Sequence, residues 1–222
     1  MDEAGLMNEV EDWAEKNGGF KRHRFFRTSG SSGKEKWVAL SDEALEWSAR
    51  SVIGALGIDS NDVLGLALPV THVGGYGMVL RAEISGASLL KLEVRWNAGS
   101  FADWCDVNRV TVSSLVPAQV YDLVSARLSC PTFMRNVVVG GGPLDGELAK
   151  KARDLGWPVI PSYGMTETSS QVATGDGLPL LQGWEAKIME GRLALKGNGL
   201  LSAIIRRKGD GFVARDPKID GW

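Results

Sequence analysis

Apolar residues along this chain come in short runs, and glycines cluster where the runs end. Leu45, Ala49, Val52, Ile53 and Leu56 recur at the helical period, so a helix is expected there. Ser41 would be its N-cap, Asp42 and Glu43 would sit in its first turn, and Gly57 would close it. Residues 63–69 form a compact apolar run that fits a buried strand, residues 78–84 a helix stopped by Gly86, and residues 88–94 another strand. The alternation continues with a short helix at 101–107, a strand at 110–116 and a helix opened by Pro117 that carries Val120, Tyr121, Val124 and Leu128. A strand follows at 137–139. Leu144, Leu148, Ala152 and Leu155 then make one more helical stripe, closed by Gly156, before a short strand at 158–161.

This alternation predicts an α/β fold of layered, mainly parallel sheets with flanking helices. Ahead of it, residues 1–24 are polar and charged, with a short amphipathic helix at 6–13. After residue 177 the character changes: residues 187–189 and 192–196 flank Glu190 and Gly191 as a hairpin, and residues 200–205 read as a further strand. The expected organisation is an α/β core over residues 1–177 followed by the start of a small β-rich subdomain over residues 178–222.

Composition narrows the partners. With 44% hydrophobic and 23% charged residues in 222, a soluble globular protein with a real core is expected. The net charge of −2 argues against a nucleic-acid or anionic-membrane partner, and the basic groups at 21–24 and 206–208 read as solvated surface. Two cysteines, Cys105 and Cys130, make no disulfide framework, and two distant histidines make no metal site, so a reducing cytoplasm is the expected setting. The N-terminus opens on Asp2 and Glu3 without a signal-like apolar run, and no segment approaches the length of a membrane span.

The first candidate chemistry lies at Thr28, Ser29, Gly30, Ser31, Ser32, Gly33, Lys34, Glu35 and Lys36. Glycines let successive backbone N–H groups converge on one anion, hydroxyls add donors, and lysines add charge. The same string fits a flexible linker. However, Phe25 and Phe26 before it and Trp37, Val38, Ala39 and Leu40 after it suit a loop between two buried elements. It is not the loop of P-loop NTPases, because Thr28 stands where that motif needs glycine and Glu35 where it needs Ser or Thr. A second Gly-rich turn is expected at 71–77 and a third at Gly140, Gly141, Gly142 and Pro143. In open α/β sheets ligands bind at the carboxyl ends of strands, so turns that follow strands are placed to share one crevice. The last segment runs from Ser162 to Thr168 and reads as a polar turn after a strand. Its Tyr163 offers a flat face for a base, Thr166 a donor for phosphate, and Glu167 a carboxylate for Mg²⁺.

The phosphate loop, the Gly140 turn and Tyr163-Gly164-Met165-Thr166-Glu167 together resemble the adenylate-forming (acyl- and aryl-CoA synthetase, AMP-binding) superfamily. They occur in that family's order, with Leu68-Pro69-Val70-Thr71-His72-Val73-Gly74-Gly75 between them. The stretches around His72, Ser114–Gln119 and Val138–Leu144 look most like the 2-succinylbenzoate–CoA ligase branch, which serves menaquinone synthesis. The resemblance implies that a carboxylic acid attacks the α-phosphate of ATP to give an acyl-adenylate, which CoA then converts to a thioester. It implies that Thr28, Ser29, Gly30, Ser31, Ser32 and Gly33, with Lys36, hold the β- and γ-phosphates, and that Gly140, Gly141, Gly142 and Pro143 line the adenine pocket. It further implies that Tyr163 stacks on adenine, Thr166 contacts the α-phosphate, and Glu167 coordinates Mg²⁺. His72 would stand at the mouth of the carboxylate pocket, with Gly74, Gly75 and Met165 shaping it, and Gly164 and Met165 would belong to the nucleotide-binding set.

This chain departs from the family pattern in places. Glu35 and Trp37 stand where the family usually has Pro and Gly, and a carboxylate beside a triphosphate is unfavourable unless Lys34 or Lys36 pairs with it. Asp220-Gly221-Trp222 resembles the lead-in to the ribose-binding aspartate, so the C-terminal domain with its adenylation lysine is expected to be missing, leaving weak or no turnover. A non-catalytic nucleotide- and acyl-binding module is the rival expectation. A dinucleotide-binding oxidoreductase fits less well, because Gly146 comes one residue too late after Gly140 and Gly142. No G-x-S-x-G occurs to support an α/β-hydrolase.

Overall fold

The computed structural model describes residues 3–17, 19–28, 36–208 and 211–215. Its first helix, α1 (Glu3–Asn17), extends beyond the expected 6–13 at both ends, and Val10 and Ala14 bury its inner face. Strands β1 (His23–Thr28) and β2 (Lys36–Ser41) follow and pair antiparallel, with Thr28 opposite Lys36. Side chains on β2 alternate between two cores: Trp37 and Ala39 pack under α1, while Val38 and Leu40 pack on the opposite face with Phe26 and Val73. The apolar residues flanking the candidate phosphate loop thus belong to two buried strands. Ser29, Gly30, Ser31, Ser32, Gly33, Lys34 and Glu35 themselves lie outside the described residues.

Helix α2 (Asp42–Leu56) forms as its spacing predicts. The Ser41 hydroxyl accepts from the Ala44 amide at 3.1 Å, and Gly57 closes the helix at φ 58° in the left-handed region. Then come β3 (Val63–Leu66), α3 (Val73–Ser85), β4 (Ser88–Lys91), α4 (Ala98–Val107), β5 (Val112–Leu115), α5 (Pro117–Ser125), β6 (Asn136–Val139), α6 (Gly146–Asp154), β7 (Val159–Met165) and β8 (Ser170–Thr174). They build a six-stranded sheet in the order β4-β3-β5-β6-β7-β8, parallel except for β8, which runs antiparallel to β7. Alternating residues again serve two cores: Val137 and Val139 face Phe101, Val120 and Ala152 of α4–α6, and Val138 faces Val52, Met78 and Ala82 of α2 and α3. Apolar burial on both faces explains why these strands read as continuous apolar runs. The thiols of Cys105 and Cys130 are free, and burial pushes that of Cys130 up to about 12.

Two expectations change. The Gly-rich turn expected at 71–77 is largely helix, because α3 begins at Val73 and takes in Gly74, Gly75 and Gly77. A Cβ on Gly75 would fall 2.2 Å from the Pro69 carbonyl oxygen, so glycine is what lets the first turn of α3 close against the preceding chain. The segment after Pro161 is also not a simple polar turn. The strand continues through Ser162, Tyr163, Gly164 and Met165, because β8 supplies a hydrogen-bonding partner that spacing alone does not reveal.

Beyond residue 177, β9 (Glu185–Met189) and β10 (Arg192–Lys196) form the expected hairpin. Strands β11 (Ala203–Lys208) and β12 (Gly211–Arg215) pair with each other, and β11 also pairs with β2, giving a four-stranded antiparallel sheet in the order β1-β2-β11-β12. Among the described residues no helix is long and apolar enough to cross a membrane.

Candidate functional site

Parallel pairing of β3, β5, β6 and β7 aligns their carboxyl ends along one edge of the sheet. The glycine turn leaves β6 at this edge. The Gly140 amide donates to the Leu115 carbonyl at 3.1 Å, and the Ser162 hydroxyl donates to the Val139 carbonyl at 3.0 Å. A Cβ on Gly140 would stand 2.8 Å from that hydroxyl, and Gly141 has φ 75°, so both positions require glycine or strain. Gly141, Gly142 and Pro143 are exposed, which leaves a bare backbone wall facing outward.

The extension of β7 forms the adjoining wall. Gly164 pairs with Gln171 across a register shift, and a Cβ there would lie 1.6 Å from the Ser170 carbonyl oxygen. Only glycine lets β8 pass this close. Tyr163 and Met165 on either side remain exposed, at 38% and 37%. Residues Thr166–Thr168 then make one 3-10 turn. The Thr168 hydroxyl clasps it, accepting from the Met165 amide at 3.1 Å and donating to the Met165 carbonyl at 3.0 Å. Ser169 turns the chain at φ 52°, and its carbonyl accepts from the Ser48 hydroxyl of α2 at 2.8 Å. The Glu167 carbonyl accepts from the Leu201 amide at 2.9 Å.

With its backbone so held, Glu167 meets Lys36. Nζ stands 2.5 Å from Oε1, and the side chains are only 15% and 22% exposed. The end of the candidate phosphate loop and the Thr-Glu turn therefore form one place. Thr28 lies across the hairpin from Lys36. His72 is exposed at the N-cap of α3, after β3, and its side chain takes no part in capping. It is on the strand-end edge but is not bonded to the Lys36–Glu167 pair.

Two contributors escaped sequence reasoning. Ser162 and Thr168 are ordinary hydroxyl residues in sequence, and only the fold shows them fixing the two walls. Within α3, Arg81 is the one charge among Met78, Val79, Leu80 and Ala82. It is 2% exposed, its Nε donates to the Gly77 carbonyl at 2.8 Å, and burial pushes its guanidinium down to about 10, so it remains cationic at neutral pH. Among the described residues no group of three or more His, Cys, Asp or Glu converges to hold a metal. Glu167 suits a hard cation such as Mg²⁺, which binds through one or two carboxylates together with substrate phosphates.

A bare glycine wall, an exposed tyrosine and a lysine–carboxylate pair stand together along the strand-end side of an α/β sheet. The chain belongs to the AMP-binding enzyme family, which matches residues 25–193. It is 34% identical over 147 residues to a 2-succinylbenzoate–CoA ligase of Bacillus subtilis, covering 66% of this chain and 30% of that protein. It is 29% identical over 218 residues to one from a Geobacillus species, covering 94% and 42%. Its fold matches O-succinylbenzoate coenzyme A synthetase (MenE) from Bacillus subtilis in complex with ATP and magnesium ion, with TM-score 0.74 and 25% identity over 85% of this chain and 48% of that one. It likewise matches that enzyme in complex with the acyl-adenylate intermediate OSB-AMP, with TM-score 0.73 and 25% identity over 87% and 62%. The chain thus spans less than half the length of these two curated relatives.

Proposed function

We infer that the chain forms the ATP- and acid-binding half of an ATP-dependent acid–thiol ligase, with 2-succinylbenzoate as the acid and CoA as the thiol, a step of menaquinone synthesis. The carboxylate oxygen attacks the α-phosphorus, pyrophosphate leaves, and the thiolate of CoA then displaces AMP from the acyl carbon. In this reading the chain's own residues position and neutralise, which is most of what phosphate chemistry requires of a protein. Lys36 takes charge on the β- and γ-phosphates together with Thr28 and the 29–33 segment. Thr166 donates to the α-phosphate, Tyr163 stacks on adenine against the wall of residues 140–143, and His72 stands at the acid's entrance. Mg²⁺, when bound at Glu167, supplies charge neutralisation of the phosphates.

The observation that carries this reading is the Lys36–Glu167 contact, which joins two phosphate-type segments 131 residues apart in one half-buried place. Calorimetric titration of the chain with Mg·ATP and with a 2-succinylbenzoyl-adenylate analogue tests it. The analogue is expected to bind more tightly than AMP. Lys36→Ala and Thr166→Val should each weaken ATP about tenfold, as loss of a charge-assisted or buried phosphate contact requires. Absence of binding by every adenine ligand, or unchanged ATP affinity in both variants, would refute it.

A further inference from the structure

We propose that Lys36 locks Glu167 against metal until a triphosphate enters, so that divalent cation and nucleotide bind as a pair and the metal never binds first. The proposal rests on the reading of this place as an ATP site and adds an order of binding to it. Three observations support it. The pair is short and mostly buried, with 2.5 Å between Nζ and Oε1 and side chains 15% and 22% exposed, so solvent and salt screen it poorly. A dication approaching Glu167 with the ammonium in place meets strong repulsion at close range. Among the described residues no group of three or more acidic, histidine or cysteine side chains converges there to outweigh that repulsion.

The backbones on both sides are pinned, so neither partner can slide away. Lys36 opens β2 opposite Thr28, and Glu167 is held through the Leu201 amide and the Thr168 clasp. Release therefore happens at the tips of the side chains. A triphosphate offers oxygens to the Lys36 ammonium and brings the further ligands that one carboxylate lacks. Two ion pairs exchange: Lys36 passes from Glu167 to phosphate as Glu167 passes from Lys36 to the metal.

The test uses Mn²⁺ in place of Mg²⁺, with free Mn²⁺ counted by electron paramagnetic resonance in the presence of the 222-residue chain. Without nucleotide, Lys36→Met should bind Mn²⁺ at least tenfold more tightly than wild type, and Glu167→Gln added to Lys36→Met should abolish the gain. Equal Mn²⁺ affinity in wild type and Lys36→Met, with both giving the same circular dichroism and melting transition, would overturn the proposal. The reverse variant checks it independently of how Lys36→Met folds. Glu167→Gln frees the ammonium, so metal-free binding of a non-hydrolysable ATP analogue should strengthen at least threefold, and no strengthening would count against the lock. If wild type binds no nucleotide with or without Mg²⁺, the ATP-site reading fails, while the comparison of metal binding alone still decides the lock.

Discussion

Replacing Asp62 by asparagine should cost about 2.5 kcal/mol of stability at neutral pH and leave the candidate site untouched. Asp62 precedes β3 and is 6% exposed. It accepts from Arg135 at 2.5 and 2.8 Å, from the Thr111 hydroxyl at 2.7 Å and from the Asp59 amide at 3.0 Å. Burial alone would raise its pKa. The hydrogen bonds from Arg135, Thr111 and the Asp59 amide, with the charge of Arg135, outweigh that and bring it from 3.8 down to about 2. At about 1.4 kcal/mol per unit, that difference is worth about 2.5 kcal/mol. The sign follows from linkage: a carboxyl depressed in the folded state contributes fully above pH 3.8, and the contribution fades as pH falls towards 2. Arg135 also donates to the Leu56 and Gly57 carbonyls at the end of α2 and is 37% exposed, so in the variant its guanidinium keeps partners and water. The loss therefore stays below the 3–5 kcal/mol of a pair broken in full burial. Urea unfolding of wild type and Asp62→Asn between pH 7 and pH 2.5 measures it, and the gap should narrow steadily below pH 4. A gap that is flat with pH, or absent at pH 7, would refute this account of the network. Binding of the adenylate analogue should be equal in the two proteins, because this network lies at the amino ends of β3 and β6 and the site lies at the carboxyl ends.

Gly164→Ala should destabilise by about 3 kcal/mol, the upper end for overpacking, since its Cβ would sit 1.6 Å from a backbone oxygen and β8 would have to move. Thermal unfolding measures this, and an unchanged melting temperature would show that β7 and β8 do not approach as described. The same variant should lose nucleotide affinity, because Thr166 and Glu167 hang from that strand. Arg81→Met should stabilise the fold by about 1–2 kcal/mol at pH 7, because burial penalises the charged guanidinium and an apolar replacement of similar length removes the penalty. Denaturant unfolding at pH 7 measures it, and a destabilised variant would refute this account of Arg81.

Much of the fold was legible because its strands are buried on both faces. Residues 63–69, 110–116 and 137–139 read as apolar runs for that reason, and the caps of α2 follow from the chemistry of Ser41 and Gly57 alone. What sequence could not show were partners distant along the chain. Nothing local to Tyr163-Gly164-Met165 predicts a strand, because the hydrogen bonds that make it one come from β8 on the far side of a tight turn. Nothing in residues 71–77 marks a helix start, because glycine has poor helix propensity and the reason for it is a carbonyl at Pro69. The site was legible as residue types at motif spacing, whereas Ser162, Thr168 and Ser48, which hold those residues in place, carry no signature of their own.

The position of Lys36 illustrates how the site depends on joints between layers. Lys36 begins β2, which pairs with β1 on one side and β11 on the other. Leu201, just before β11, donates its amide to Glu167, and the Ser202 amide donates to Ala39 of β2. One short connection therefore fixes both members of the Lys36–Glu167 pair, one through the antiparallel sheet and one through the turn after β7. A change that loosens this connection should separate the ammonium from the carboxylate without altering either residue. Ser202→Pro would do so by removing the amide that bonds to Ala39. In that variant the protection of Glu167 from metal should fall along with the stability of the β2–β11 pairing, whereas the Asp62–Arg135 network at the other end of the parallel sheet should be unaffected.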